Sequence, residues 1–138
     1  MISFQTENIA FPPIKRNDTK KWIKKIAAEY GKKVGDVCYI FCNDDRIVEV
    51  NNRYLKHDYY TDIITFDYSV DDVISGDIFI SLDTVLSNSE KFNTEYHEEL
   101  HRVMIHGVLH LCGVKDVSEE EAKEMREVED RALAMFTY

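Results

Sequence analysis

The sequence predicts an α+β fold: a single domain over residues 1–138, with a small mixed β-sheet packed against helices. Two observations predict it. Stretches of β-forming and helix-patterned residues follow one another without strict alternation. The 138 residues also suffice for one real core, and no linker, internal repeat or low-complexity segment divides them.

Taken in order, Ile2–Glu7 alternates apolar and polar residues, the period of a half-buried strand. Phe11-Pro12-Pro13 is a connection. Asn17 or Asp18 can cap a helix over residues 19–30, ended by Gly31, with Trp22, Ile23, Ile26, Ala27 and Tyr30 as its apolar stripe. Residues 37–42 are apolar almost throughout and are expected as a central strand. Asn43-Asp44-Asp45 offers an N-cap to a helix running towards Leu55, and residues 56–60 are a polar, aromatic loop. Residues 61–66 read as a strand, 68–75 as an acidic turn region, and 76–82 as a further strand. A helix from about Asp83 breaks near Phe92-Asn93. Residues 94 to about 112 form one long helix. Its first half carries Glu95, Glu98, Glu99 and Arg102; its second half is apolar on every face apart from histidines, the mark of a buried helix. Ser118-Glu119-Glu120-Glu121 is a capping box that starts a final helix through Met125, Val128, Leu133 and Met135.

The net charge is −9 but uneven: residues 1–36 carry eight Lys/Arg against four Asp/Glu, and the remaining 102 carry nine against twenty-two. Most of the surface should repel a polyanion, so nucleic acid would need a local basic face and bind less tightly as salt rises. Lys20, Lys21, Lys24 and Lys25 lie away from their helix's apolar stripe and form the one concentration of positive charge. They read either as a solvated helix face or as a phosphate-contacting patch. No apolar run is long enough to cross a bilayer, and the first residues lack the basic start and apolar stretch of a signal peptide. A cytoplasmic location without membrane partners is therefore expected. Three cysteines, an odd number without a Cys-x-x-Cys pair, agree with it. Cys38, Cys42 and Cys112 read as small buried apolar side chains.

The chemistry concentrates in His106-Gly107-Val108-Leu109-His110-Leu111-Cys112-Gly113-Val114-Lys115-Asp116. Histidines four apart share one helix face, with Cβ atoms about 5–6 Å apart. Gly113 permits a left-handed turn, so the chain can double back and carry Asp116 towards both rings. Two imidazoles and a carboxylate can hold zinc with a position left open for water. Burying two imidazoles is otherwise costly. The spacing is that of the metzincin pattern, His-x-x-x-His-x-x-Gly-x-x-ligand, on a zincin-like helix. The glutamate that metalloproteases place after the first histidine is here Gly107.

His97-Glu98-Glu99-Leu100-His101 does match His-Glu-x-x-His. Nine residues separate His97 from His106 and His101 from His110, half a turn in projection, so the two pairs face opposite sides of a continuous helix. The earlier pair lies in the charged half and is expected to face solvent. Met104 stands three beyond His101 where the turn glycine should be, and Gly107 stands at the third-ligand position with no side chain to offer. The later pair is favoured for metal, and the earlier one reads as a chance match.

These residues closely resemble the YbeY family of bacterial endoribonucleases and ribosomal-RNA maturation factors. That family's motif is His-Gly-x-Leu-His-Leu-x-Gly-Tyr-Asp-His, in which glycine after the first histidine is a family feature. Thr61-Asp62-Ile63-Ile64-Thr65-Phe66 is similar to its Thr-Asp-Val-Leu-Ser-Phe segment, and Gly76-Asp77-Ile78 with Ser81 to its Gly-Asp-Ile-x-x-Ser strand. Two departures stand out. The third ligand is usually histidine and here is Asp116, an adequate zinc ligand that should alter affinity and add negative charge. The family also tends to carry an arginine after the tyrosine preceding the Thr-Asp segment. Here Tyr54 is followed by Leu55, leaving Arg53, Lys56 and His57 as stand-ins for catalysis.

The resemblance implies a metal helix packed near a small sheet, and one Zn2+ per chain on His106, His110 and Asp116, with His106 also catalytic. It implies cleavage of single-stranded RNA in small-subunit ribosomal-RNA maturation and ribosome quality control, beside ribosomes and ribosomal proteins. Lys20, Lys21, Lys24 and Lys25 would then bind RNA. Zinc there would acidify a water and polarise a phosphoryl oxygen. With no glutamate at 107, the base would be that water's own hydroxide, His57 or the RNA's 2′-OH, and a nearby cation would stabilise the charge that develops. Two other functions suit the same residues. One is a metal-dependent peptidase, from the metzincin-like spacing and with Gly107 against it. The other is a non-catalytic ribosome-assembly factor with a structural metal, from the missing arginine and the acidic surface.

Overall fold

The computed structural model describes residues 1–55 and 61–136. In chain order these form β1 (Ile2–Glu7), α1 (Arg16–Glu29), β2 (Lys33–Cys42), α2 (Asp44–Leu55), β3 (Ile63–Asp67), β4 (Val73–Ser81), α3 (Leu82–Lys91), α4 (Tyr96–Leu111) and α5 (Glu119–Ala134). The four strands make one mixed sheet in the order β1-β2-β4-β3. Pairing is parallel for β1 with β2 and for β2 with β4, and antiparallel for β3 with β4.

Alternation along the strands decides what covers each face. Phe4 pairs with Tyr39, Tyr39 with Ile78, and Ile78 with Thr65, so these side chains share a face with Ile63 and Ile80. That face carries the larger core, against Trp22, Ile23 and Ile26 of α1, Leu100, Met104 and Val108 of α4, and Met125 of α5. The opposite face presents Cys42, Ile64, Phe66 and Phe79, which pack on Ile47 and Val50 of α2.

Helix α4 lies close to the sheet because two glycines allow it. A methyl on Gly107 would meet Cδ1 of Ile63 and two methyls of Ile78, all at 3.1 Å. A methyl on Gly76 would be pressed onto the carbonyl oxygen of Phe66 in the neighbouring strand, with Leu111 of α4 next nearest. The Tyr39 hydroxyl ties sheet to helix by donating to the Met104 carbonyl at 2.9 Å.

Several boundaries differ from the sequence expectation. Helix α1 begins at Arg16, with Lys15 in the cap position, rather than at a cap on Asn17 or Asp18. The Thr19 hydroxyl and amide both bond the Lys15 carbonyl, which draws the first turn earlier. The 68–75 turn region is shorter than expected because β4 starts at Val73, and a bridge between Val70 and Val73 continues the hairpin. The charged first half of α4 is solvated only in part, with Glu95 and His97 exposed as expected. Glu99 and Arg102 are buried, and so is His101, against the expectation that it faces solvent. Its ring packs 5.8 Å from that of Trp22 and 4.7 Å from that of Phe136, which close over it from α1 and the C-terminal segment.

Candidate metal centre

The C-terminal half of α4 sets two rings at the β3 edge of the sheet. Gly107 faces inward between Ile63 and Ile78, so His106 on one side of it and His110 a turn later look along that edge. The helix ends in a Schellman turn: Gly113 donates to the His110 carbonyl at 3.0 Å and Val114 to the Leu109 carbonyl at 2.9 Å. Gly113 has φ +95°, the left-handed region that favours glycine. This reversal returns the chain and brings Asp116 to the histidines.

The three side chains form a tight triangle. The Nε2 atoms of His106 and His110 are 2.9 Å apart, and Asp116 Oδ2 lies 3.3 Å from the first and 3.4 Å from the second. Donors held about 2.0–2.1 Å from a tetrahedral ion lie roughly 3.3–3.4 Å from one another, so the set fits a single small cation. Two imidazole nitrogens this close need a proton or a cation between their lone pairs. Beside the triangle is a cleft of about 560 Å³ walled by Thr61, Asp62 and Thr65 together with His106, His110 and Asp116.

Behind the triangle stands a residue that sequence reasoning missed. The carboxylate of Glu129, on α5 and only 6% exposed, accepts a hydrogen bond from His106 Nδ1 at 2.6 Å and one from Arg102 at 3.0 Å. Arg102 also donates to Asp130. An acceptor at Nδ1 places the proton there and leaves Nε2 free to ligate, a common device of metal-site histidines. The Ser118 capping box starts α5 in register for this contact: Glu121 donates to the Ser118 hydroxyl and Ser118 donates to the Glu121 carboxylate, both at 3.1 Å. A signal was present in the sequence, because Glu129 falls on the stripe of Met125, Ala132 and Leu133, where an acid is out of place unless bonded.

Charge in the site follows from these contacts. Burial by itself lowers the His106 pKa, but the hydrogen bond and charge of Glu129, helped by Asp116 and Asp62, outweigh it and leave it raised. Burial and the neighbouring His106 lower the His110 pKa against the pull of Asp116. Asp62, on the cleft wall, has its pKa raised by burial, opposed by His106 and by the backbone amides of Asp62 and Ile63.

Of the other candidate residues, Arg53 is exposed on α2, whose core contacts are with the opposite face of the sheet, and its guanidinium lies 5.6 Å over the Tyr54 ring. It is not among the described residues that wall the cleft. Lys56 and His57 lie outside the described residues. Lys20, Lys21, Lys24 and Lys25 are on α1, which packs on β2 and sets the Lys20 ammonium 5.8 Å over the Phe4 ring of β1, away from β3 at the far edge of the sheet. Lys21 and Lys25 border a separate hollow with Trp22 and Phe136. His97 is exposed, and the buried His101 ring donates to the His97 carbonyl at 2.6 Å, so the earlier histidine pair does not converge.

Fold and site together define a class: a small α+β protein whose sheet-packed helix presents a His/His/Asp group able to bind a metal ion. The family model described as Endoribonuclease YbeY matches residues 1–137. Proteins named Endoribonuclease YbeY from Phocaeicola vulgatus and Bacteroides thetaiotaomicron are 59% and 56% identical, covering 99% and 97% of this chain and 99% and 98% of their own. The solution structure of a Thermotoga maritima protein superposes with a TM-score of 0.70 at 29% identity, over 96% of this chain and 87% of that one. The chain belongs to the Endoribonuclease YbeY family.

Proposed function

We propose that residues 1–138 form one hydrolase domain, a zinc-dependent endoribonuclease that cuts single-stranded RNA in the maturation of small-subunit ribosomal RNA and in ribosome quality control. The family makes the chain an endoribonuclease, a hydrolase of phosphoester bonds. The observation that carries the metal assignment is the triangle of His106 Nε2, His110 Nε2 and Asp116 Oδ2 beside a cleft. Work in the cytoplasm beside the ribosome or its proteins, with the α1 lysines touching RNA away from the cut, completes the reading. In its support, no helix among the described residues is long and apolar enough to cross a membrane.

Zinc bound by this group supplies a Lewis acid that lowers the pKa of a water and polarises a phosphoryl oxygen. The rest falls to the chain. His106 and His110 present neutral Nε2 atoms, and Asp116 contributes one negative charge. Glu129 keeps the proton on His106 Nδ1. The base has to come from somewhere other than position 107, since a side chain there points between Ile63 and Ile78. Asp62 is placed to accept a proton: its carboxyl borders the cleft, and burial holds its pKa above the ordinary value. The direction of position 107 also weighs against the peptidase reading.

The test is metal analysis and cleavage of single-stranded ribosomal-RNA fragments by the wild type, His106→Ala and His110→Ala. One zinc per wild-type chain and zinc-dependent cutting lost in both variants is the expected result. Full zinc occupancy in His110→Ala would sink the ligand assignment. Zinc binding with no RNA cleavage by the wild type would favour an assembly factor with a structural metal.

A further inference from the structure

The cleft does not end at His106. A second hollow, of about 320 Å³, adjoins it and shares Asp62, Ile63, His106 and Asp116 with it. Its far wall comes from residues with no part in the metal centre: Arg126 of α5, and Asn88 and Phe92 at the end of α3.

Charge is the first consideration. The arginines on this wall are Arg102 and Arg126. Arg102 is buried and committed to Glu129 and Asp130. Arg126 is exposed, and no ion pair within 4 Å joins it to a described acid. It stands three residues before Glu129 and so on the same face of α5, with Cβ atoms about 5–6 Å apart. Glu129 touches His106, and Arg126 lines the same hollow as His106 and Asp116. Of the acids lining the hollow, Glu129 is held by Arg102 and His106 and Asp116 lies against the two histidines, while the buried Glu99 attracts both Arg102 and Arg126, which leaves Arg126 as the arginine of this wall that reaches solvent.

The second consideration is the aromatic ring. Phe92 is 56% exposed although it is a large apolar side chain at the end of a helix. Its position is set by its backbone, which caps α3 by donating to the Asn88 carbonyl at 2.9 Å, and not by burial of the ring. The Lys91 ammonium lies 5.6 Å from the ring centroid, and an exposed ring of this kind is a platform on which a nucleobase of any identity can stack. Asn88, one turn earlier and half-buried on the same wall, adds an amide that can both donate to and accept from a base edge.

We propose that this hollow is a nucleotide subsite, which holds the nucleotide beside the scissile phosphate with its base stacked on Phe92 near Asn88 and its phosphate on Arg126. The inference rests on the RNA-cleavage reading above. It assigns a stacking contact and a phosphate contact to two exposed side chains, and these are separable by experiment.

Binding of a 2′-O-methylated single-stranded RNA to the purified, metal-loaded protein is measured over a range of salt, with cleavage of the unmodified RNA alongside. Arg126→Gln should weaken binding by roughly five- to twentyfold and reduce the slope of log affinity against log salt by about 0.7, one phosphate contact on a single strand. Arg126→Lys should recover most of that loss. Phe92→Ala should weaken binding by roughly five- to a hundredfold with the salt slope unchanged, as loss of one stacked base does. Lys123→Gln removes an exposed charge from the same helix outside the hollow and should leave affinity within about twofold. Melting temperatures should stay near wild type, since these side chains are exposed. A wild type that neither binds nor cuts RNA overturns the RNA reading itself. A wild type that does both, while Arg126→Gln and Phe92→Ala bind as tightly, overturns the subsite alone. Equal weakening by Lys123→Gln also overturns it, because net charge rather than place would then be the cause.

Discussion

Replacing Glu129 by glutamine tests whether the acid behind the triangle positions a ligand or merely fills the core. Its carboxylate accepts from His106 Nδ1 at 2.6 Å and from Arg102 at 3.0 Å in a position 6% exposed. Glutamine keeps the volume but offers one acceptor and one donor. If the amide oxygen stays on Arg102, the amide N–H faces Nδ1 and drives the His106 proton onto Nε2, where it blocks ligation. Losing such a partner typically costs 10–100-fold in metal affinity, about 1.4–2.7 kcal/mol. Stability should fall as well, by about 1–3 kcal/mol, because the buried Arg102 exchanges a carboxylate for a neutral amide oxygen while keeping Asp130. The assay is zinc titration against a chelator at pH 6 and pH 8, with thermal melting of the metal-free protein. The pH comparison separates the two roles. Burial lowers the His106 pKa, and Glu129 together with Asp116 and Asp62 more than reverses this, so in the wild type a proton competes with metal up to a higher pH. Removing the charge lowers that pKa and weakens the competition. The affinity loss should therefore be larger at pH 8 than at pH 6. A melting temperature that drops while zinc affinity stays within threefold of wild type at both values would refute the positioning role.

Two further outcomes follow from packing and burial. Gly107→Glu, which restores the protease-like glutamate, should give no peptidase activity and destabilise the protein by roughly 3 kcal/mol or more, since its Cβ already meets Ile63 and Ile78 at 3.1 Å and the carboxylate would be buried among methyl groups; a melting temperature near wild type would contradict this. His101 has its pKa lowered, mainly by burial, so as pH falls below about 6.5 the unfolded chain takes up a proton that the folded one resists. The stability that this neutral, buried ring contributes is complete above that pH and declines towards pH 5, so wild type should lose more melting temperature between pH 7.5 and 5.5 than His101→Phe, and parallel losses would reject the account.

Much of the framework was legible because it is local. Alternation marks β1, the Ser118–Glu121 box marks the start of α5, and an all-apolar stretch marks the buried half of α4. The histidine spacing and Gly113 sufficed to pick out the triangle, since the geometry of one helix and one turn is nearly independent of the remainder. Expectations failed where a side chain's surroundings come from distant segments. His101 lies in a charged stretch of sequence, yet Trp22 and Phe136 bury it. Arg53 is a neighbour of the Tyr54-Leu55 motif position in sequence, yet it sits on α2, across the sheet from α4.

The sequence by itself therefore determined the metal-binding candidates, His106, His110 and Asp116, because a helical period and a left-handed glycine bring them together within eleven residues. Only the tertiary structure decided what surrounds them. It turned Gly107 into the sheet, where it admits the helix and excludes a base, and it brought Glu129 from twenty-three residues away to hold the His106 ring. It also set Phe92, Asn88 and Arg126 around the adjoining hollow. The physical reason is that such contacts depend on how α3, α4, α5 and β3 pack together, and no periodicity along the chain encodes the distance between two helices.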